Sequence, residues 1–271
     1  METRLENMRP AEIVHRMQAR SLAYLPLGPL EWHGPHLPLG TDALIAYEVA
    51  LRAAELTGGV VLPPFYWGTE RERTADQLRD IGFRGDEWVV GMDFPANILK
   101  GLYCREEFFA LLVREMLELL IAQGFQLITI VNGHGASNHC AVLDRLSAEF
   151  TARGPAKVLS LFAYPDEDGH RPGVGHAGLE ETSRMMAILP ETVDLSALPP
   201  PEKPLYNVEW GIVDSLTFGG QPAKDFATRD DPRIGATPTA GEESLDRSVR
   251  FLVRQVEVAL ELGAQGDCEE S

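Results

Sequence analysis

Cysteine is scarce in this chain: three in 271 residues, Cys104, Cys140 and Cys268, with no CxxC spacing among them. An odd number so spread excludes a disulfide framework and fits a reducing compartment. Positive charge is also in short supply, with 24 Lys and Arg against 41 Asp and Glu and a net charge of -17. That balance repels a phosphate backbone, so nucleic acid is excluded as the expected partner. Long apolar runs are missing as well. The stretch around Leu111–Ala122 is broken by Arg114, Glu115 and Glu118, too polar to cross a bilayer. The first ten residues are charged and hold no apolar core of a secretory signal. These absences predict a soluble, cytoplasmic protein with no membrane partner.

Apolar residues make up 44% of the chain, enough for a substantial core without covalent staples. Strand-like runs alternate with helical patterns through the first two thirds. Ser21–Leu27, Val60–Leu62, Leu127–Val131 and Val158–Phe162 read as strands closed by glycine or proline turns, or by a motif segment. Asp42–Leu56, Glu106–Gln123, Asn138–Ala152 and Glu180–Leu189 read as helices, ended by Gly58-Gly59, Gly124, Gly154-Pro155 and Pro190. An amphipathic helix is expected near Glu242–Leu262. Such alternation predicts an α/β fold, a layered single domain over 1–271 with a mainly parallel central sheet flanked by helices. Phe65–Tyr103 shows no clear periodicity, and Leu198–Thr239, rich in proline and glycine, reads as a long surface excursion.

In open parallel sheets ligands bind beyond the carboxyl ends of the strands. Two chemically suggestive segments fall there. Leu30-Glu31-Trp32-His33-Gly34-Pro35-His36 leads on to Thr41-Asp42 after the first strand, and Asn132-Gly133-His134-Gly135 follows the strand Leu127–Val131. Glu31 and His33 are two apart, so an extended backbone points both the same way. Asp42 opens a helix and has an alternative reading as its N-cap, with Thr41 as competitor. Carboxylates and imidazoles gathered at strand ends are ligands for divalent metals, and mixed nitrogen and oxygen donors leave zinc, manganese and iron open. A third segment, Gly175-His176-Ala177-Gly178-Leu179-Glu180-Glu181-Thr182-Ser183, lies between a strand and a helix. Its two glutamates either favour the first helical turn through the macrodipole or complete the metal shell, with His176 nearby as acid or base.

On these residues the chain resembles the creatininase (creatinine amidohydrolase) family. Glu31 to Asp42 matches the pattern Glu-x-His-Gly-x-His-Leu-Pro-x-x-Thr-Asp, Asn132 to Asn138 matches Asn-Gly-His-Gly-x-x-Asn, and His176 to Ser183 matches His-Ala-Gly-x-x-Glu-Thr-Ser. The resemblance implies two divalent ions per subunit on Glu31, His33, Asp42, His134 and Glu181, with Asp42 bridging. It implies His176 as the active-site histidine, Glu181 beside it, a small-molecule substrate and a homo-oligomer, often a hexamer. The implied activity is hydrolysis of a non-peptide amide C–N bond in a small cyclic amide or formamide, by water acidified on the metals. Two other readings stand beside it: ring-opening C–C hydrolysis of a cyclic polyol ketone of the 3-dehydro-scyllo-inosose type, and a non-catalytic metal-binding homologue.

Two departures accompany the match. The enzyme that names the family carries a metal-binding glutamate two residues beyond the histidine matching His134; here Ala136 stands there. Family members also cross the stretch between Pro63-Pro64 and Phe94-Pro95 with a much shorter loop. The added residues include Trp67, Glu70, Arg71, Arg73 and Trp88, read as substrate contacts or as a subunit interface. His36 is read as orienting a neighbour rather than binding metal, and His139, Cys140 and His170 as structural.

Overall fold

The computed structural model of the chain describes residues 2–80, 82–95, 97–165, 176–203, 205–208, 211–213 and 231–269. Four strands form a parallel sheet: β1 (Leu22–Leu27), β2 (Val60–Val61), β3 (Leu127–Asn132) and β4 (Lys157–Phe162), in the order β2-β1-β3-β4. Helices α1 (Pro10–Ala19), α2 (Thr41–Thr57), α3 (Ala75–Asp80), α4 (Glu106–Ala122), α5 (Ser137–Arg153) and α6 (Leu179–Ile188) are followed by a long C-terminal helix, Pro238–Glu269.

Alternation along the central strands explains the layers. Side chains two apart leave the same face of a strand, so Leu22, Tyr24, Leu127 and Val131 enter one apolar cluster. Their alternates Ala23, Leu25, Leu27, Ile128 and Ile130 enter a second cluster on the other face. Helix α2 covers the first face with Ile45, Val49 and Ala53, joined by Met185 of α6 and by Leu245, Leu252 and Val256 of the C-terminal helix. Helix α4 (Phe109, Val113, Leu117) and helix α5 (Leu143, Leu146, Phe150) cover the second. Both strand faces are therefore apolar, the pattern of a parallel sheet buried between helices. Helix α6 and the C-terminal helix touch so closely that a Cβ on Gly241 would lie 2.0 Å from the Ser183 carbonyl oxygen.

Register sets where the site forms. Leu27 pairs with Asn132 and Asn132 with Phe162, so three adjacent strands end level. The first two motif segments follow β1 and β3 directly, and the third leads into α6.

Two regions depart from expectation. The aperiodic stretch after β2 is built rather than irregular: it holds α3, bridges between Gly68 and Tyr103 and between Glu72 and Val90, and its own small core. That core gathers Leu78, Phe83, Val89, Met92 and Phe94, with Trp32 against it. Its residues are irregularly spaced, so no local period announces them. In the segment read as a surface excursion, the described residues include buried Leu198 and Leu205, a hairpin of β5 (Tyr206–Val208) and β6 (Gly211–Val213), and a short helix Pro232–Gly235. Arg233 there pairs with buried Asp231 and donates to the carbonyls of Pro199, Pro200 and Lys203. Among the described residues no helix is long and apolar enough to cross a membrane.

Candidate metal centre

Glycines let the three segments close on one another. Gly28, just past β1, and Gly133, just past β3, both lie against the start of α2. A Cβ on Gly28 would come 2.5 Å from Asp42 Cβ, and one on Gly133 would come 2.1 Å from the Asp42 carbonyl oxygen. The first turn of α2 is thereby pressed into the gap between two strand ends. Gly40 occupies the N-cap position with no side-chain cap bond, and Thr41 bonds the Pro38 carbonyl, so Asp42 is released from capping.

Its carboxylate is buried and faces two ways. Oδ1 lies 3.0 Å from His33 Nε2, and Oδ2 lies 3.1 Å from His134 Nδ1. Glu31 Oε1 is 3.3 Å from His134 Nδ1 and 3.9 Å from His33 Nε2. Glu181 Oε2 is 4.0 Å from His33 Nε2 and accepts the Ala177 N–H at 2.5 Å. Ala177 holds a left-handed backbone, φ 55°, which turns that N–H onto the carboxylate. The ligand-type atoms fall into overlapping groups: Glu31, Asp42 and His134; His33, Asp42 and Glu181; and Glu31, His33 and His176.

Tautomers follow from the partners. The Glu31 carbonyl can only accept, so His33 Nδ1–H donates to it at 3.1 Å and Nε2 faces the carboxylates. His176 likewise donates Nε2–H to the Trp32 carbonyl, leaving Nδ1 3.5 Å from Glu31 Oε1. Its ring lies 4.2 Å from that of His33. Among the described residues His134 Nε2 is buried without a hydrogen-bond partner.

Three carboxylates buried together are costly unless cations answer them. Burial opposes ionisation of Glu31, yet His134, His176 and His33 outweigh it and hold its carboxyl well below the usual range. Burial also opposes charge on His33, but Asp42, Glu181 and Glu31 push its pKa up to about 10. His134 is raised in the same way by Glu31 and Asp42 against burial. Glu181 goes up to about 7 through burial, which its His33 neighbour only partly offsets. His176 falls to about 4, through burial first and the His33 charge second. Carboxylate oxygens and imidazole nitrogens, dry and within 4.8 Å of one another, fit a divalent cation such as zinc or manganese.

The remaining candidates separate cleanly. Glu180 turns away, bonding Arg184 at 3.0 Å and Ser244, so of the two neighbouring glutamates only Glu181 joins the cluster. His36 bonds Thr182 Oγ1 at 2.9 Å and stays outside it. Ala136 occupies the N-cap position of α5 with no side-chain bond. Glu70 and Arg73 lie near the cluster: burial raises the Glu70 carboxyl, with His134 opposing, while Arg73 is buried and donates to the Gly91 carbonyl at 2.7 Å. Trp67 lies edge-on to Phe108 and Arg71 sits 3.8 Å from Glu106, both against α4. Trp88 is exposed. His139 stacks on Phe109 and Cys140 approaches the His134 carbonyl, both inside the fold. His170 lies outside the described residues.

One residue of the site had no sequence signal. Tyr103 donates its phenol proton to Glu31 Oε2 at 2.5 Å from 72 positions away.

Comparison with known proteins places the chain in a family. The family model described as creatinine amidohydrolase matches residues 6–256. The chain is 25% identical to the creatinine amidohydrolase of Pseudomonas putida over 203 residues, 68% of this chain and 72% of that one. It is 28% identical to the mycofactocin precursor peptide peptidase of Mycolicibacterium smegmatis over 178 residues, 64% of this chain and 60% of the peptidase. A zinc–zinc form of creatininase superposes with a TM-score of 0.66 at 23% identity, covering 96% of this chain and 98% of that one. A manganese form does so with a TM-score of 0.64 at 22% identity, over 96% and 99%. By these matches the chain belongs to the creatininase family of metal-dependent amidohydrolases.

Proposed function

We propose that this hydrolase cleaves a non-peptide amide C–N bond in a small cyclic amide or formamide, using two divalent ions held by its own side chains. One ion is assigned to Glu31, Asp42 and His134, the other to His33, Asp42 and Glu181, with zinc and manganese the preferred metals. The observation that carries this is the shared carboxylate: Asp42 turns one oxygen to each histidine. Glu181 then supplies the carboxylate that Ala136 lacks. Bound ions of this kind supply acidified water and a polarised carbonyl.

The protein's own groups do the rest. Glu31, Asp42 and Glu181 are acceptors whose charge the cluster needs; His33 is oriented by the Glu31 carbonyl. Burial, with the His33 charge beside it, holds the His176 pKa down at about 4 in the metal-free cluster, and its Nδ1 faces Glu31. From that position it takes a proton from the attacking water and returns it to the leaving nitrogen. Glu70 and Arg73 border the substrate's position. Exposed apolar side chains on and near α4, among them Phe108, Leu111, Leu102 and Ile98, support a homo-oligomer.

Metal analysis of the purified protein, followed by hydrolysis assays on cyclic amides, formamides and cyclic polyol ketones, tests the reading. About two ions per chain with turnover of an amide is the expected result. Turnover of only a polyol ketone replaces the C–N assignment with C–C cleavage, and failure to bind metal after reconstitution rejects the centre.

A further inference from the structure

The geometry points to Tyr103 as a positioning residue for the metal centre: it holds one oxygen of Glu31 so that the other alone is offered to the cluster. This rests on the two-ion reading above. Tyr103 comes from the segment between β2 and α4, outside all three motifs.

Four observations converge on it. The phenol oxygen accepts the Met92 N–H at 3.2 Å, so its own proton is directed to Glu31 Oε2, 2.5 Å away. Glu31 is thereby divided: Oε2 goes to Tyr103, while Oε1 faces His134, His176 and His33. The backbone beside Tyr103 is tied to the ligand segment by Leu102 N–H donating to the Leu30 carbonyl at 2.7 Å, and within its own segment by Cys104 N–H donating to the Gly68 carbonyl at 2.9 Å. Finally, room for the ring is built in. A Cβ on Gly91 would lie 2.7 Å from the phenol oxygen, and one on Gly101 would lie 2.6 Å from the ring. Gly91 has φ 54°, so glycine is favoured there on conformational grounds as well.

A hydrogen bond from outside the ligand set to the free oxygen of a ligating carboxylate orients it and tunes its basicity. A carboxylate without one can swing to offer both oxygens, altering the number of donors on the ion. The segment that carries the phenol has its own apolar core, and Met92 of that core supplies the N–H that the phenol oxygen accepts.

The test compares wild type, Tyr103→Phe and a chain with p-aminophenylalanine at 103, which keeps the ring and an N–H donor. Zinc affinity is read by chelator competition, the donor set by visible absorption of the cobalt(II)-loaded proteins, and folding by thermal melts without metal. Wild type binding no metal overturns the two-ion reading and this inference with it. Given wild-type binding, Tyr103→Phe is expected to weaken one of the two ions by roughly 10–100-fold and to shift the cobalt bands. The amino analogue restores both. Affinity within about twofold of wild type with superimposable cobalt spectra overturns the role of Tyr103 while leaving the metal centre standing. So does failure of the amino analogue to restore binding, or a loss matched by unfolding of the metal-free variant.

Discussion

Asp42 turns Oδ1 to His33 at 3.0 Å and Oδ2 to His134 at 3.1 Å, so one carboxylate joins two segments that leave different strands. Removing its charge strips both proposed ions of a ligand at once. Asp42→Asn is expected to lose most bound metal, by elemental analysis, and roughly a thousandfold in kcat/KM, several kcal/mol of transition-state stabilisation. Retention of both ions would end the bridging assignment.

Gly133 leaves no room for a side chain beside the Asp42 backbone. Gly133→Ala forces that backbone or the end of β3 to move, at a cost of about 1–3 kcal/mol. Melting curves are expected to show a lower midpoint, and metal affinity to fall with it.

Adjacent glutamates are expected to behave oppositely. Glu181→Gln removes a cluster carboxylate and with it metal. Glu180→Gln leaves metal in place and loosens the contacts to Arg184 and Ser244, costing about 1 kcal/mol of stability. Metal content and chemical denaturation of the two variants, side by side, separate the roles.

His176→Ala is expected to keep its metal and lose roughly 10²–10⁴-fold in kcat, the usual range for a positioned proton carrier. Loss of metal would instead place His176 among the ligands, which its position 3.5 Å from Glu31 Oε1 makes a sharp comparison.

The metal-free cluster carries protons that cations displace. Burial works against charge on His33, but the carboxylates win and its pKa rises to about 10 from an ordinary 6.5. That contribution to metal-free stability is fully present below pH 6.5 and is lost as pH rises through about 10. Metal binding at pH 8 should therefore release a proton, and affinity should climb with pH. Calorimetry in buffers of different ionisation enthalpy reads the proton count directly; no release would contradict the His33 assignment.

Much of the fold was legible because it rests on local periods. β-branched and apolar runs announced β1, β3 and β4, and glycine or proline marked the ends of α2 and α5 within a residue or two. Helix α1 lies outside the sequence expectations, although Pro10 in its first turn and an acidic residue three after Arg9 are start signals, and the structure shows Glu12 accepting the Arg9 N–H. The region after β2 was illegible for a different reason: Phe83 stacks on Phe94 and Arg73 lies over Phe94 through contacts no short window contains. Trp67 and Arg71 share that segment with Glu70 and Arg73, and composition could not tell which side each would face.

Sequence alone determined the donor chemistry and its setting: carboxylates and imidazoles flanked by glycine, each placed just past an apolar run or a helix start. That is local information, set by residue type and period. Only tertiary structure decided which donors meet. The level ends of β1 and β3 bring Glu31 and His134 together, and the first turn of α6 brings Glu181 to them. The glycine gaps at Gly28 and Gly133 set Asp42 between them, and the segment between β2 and α4 brings Tyr103 to Glu31. Such a choice depends on register between strands and on packing across layers, and no single segment of the chain encodes either.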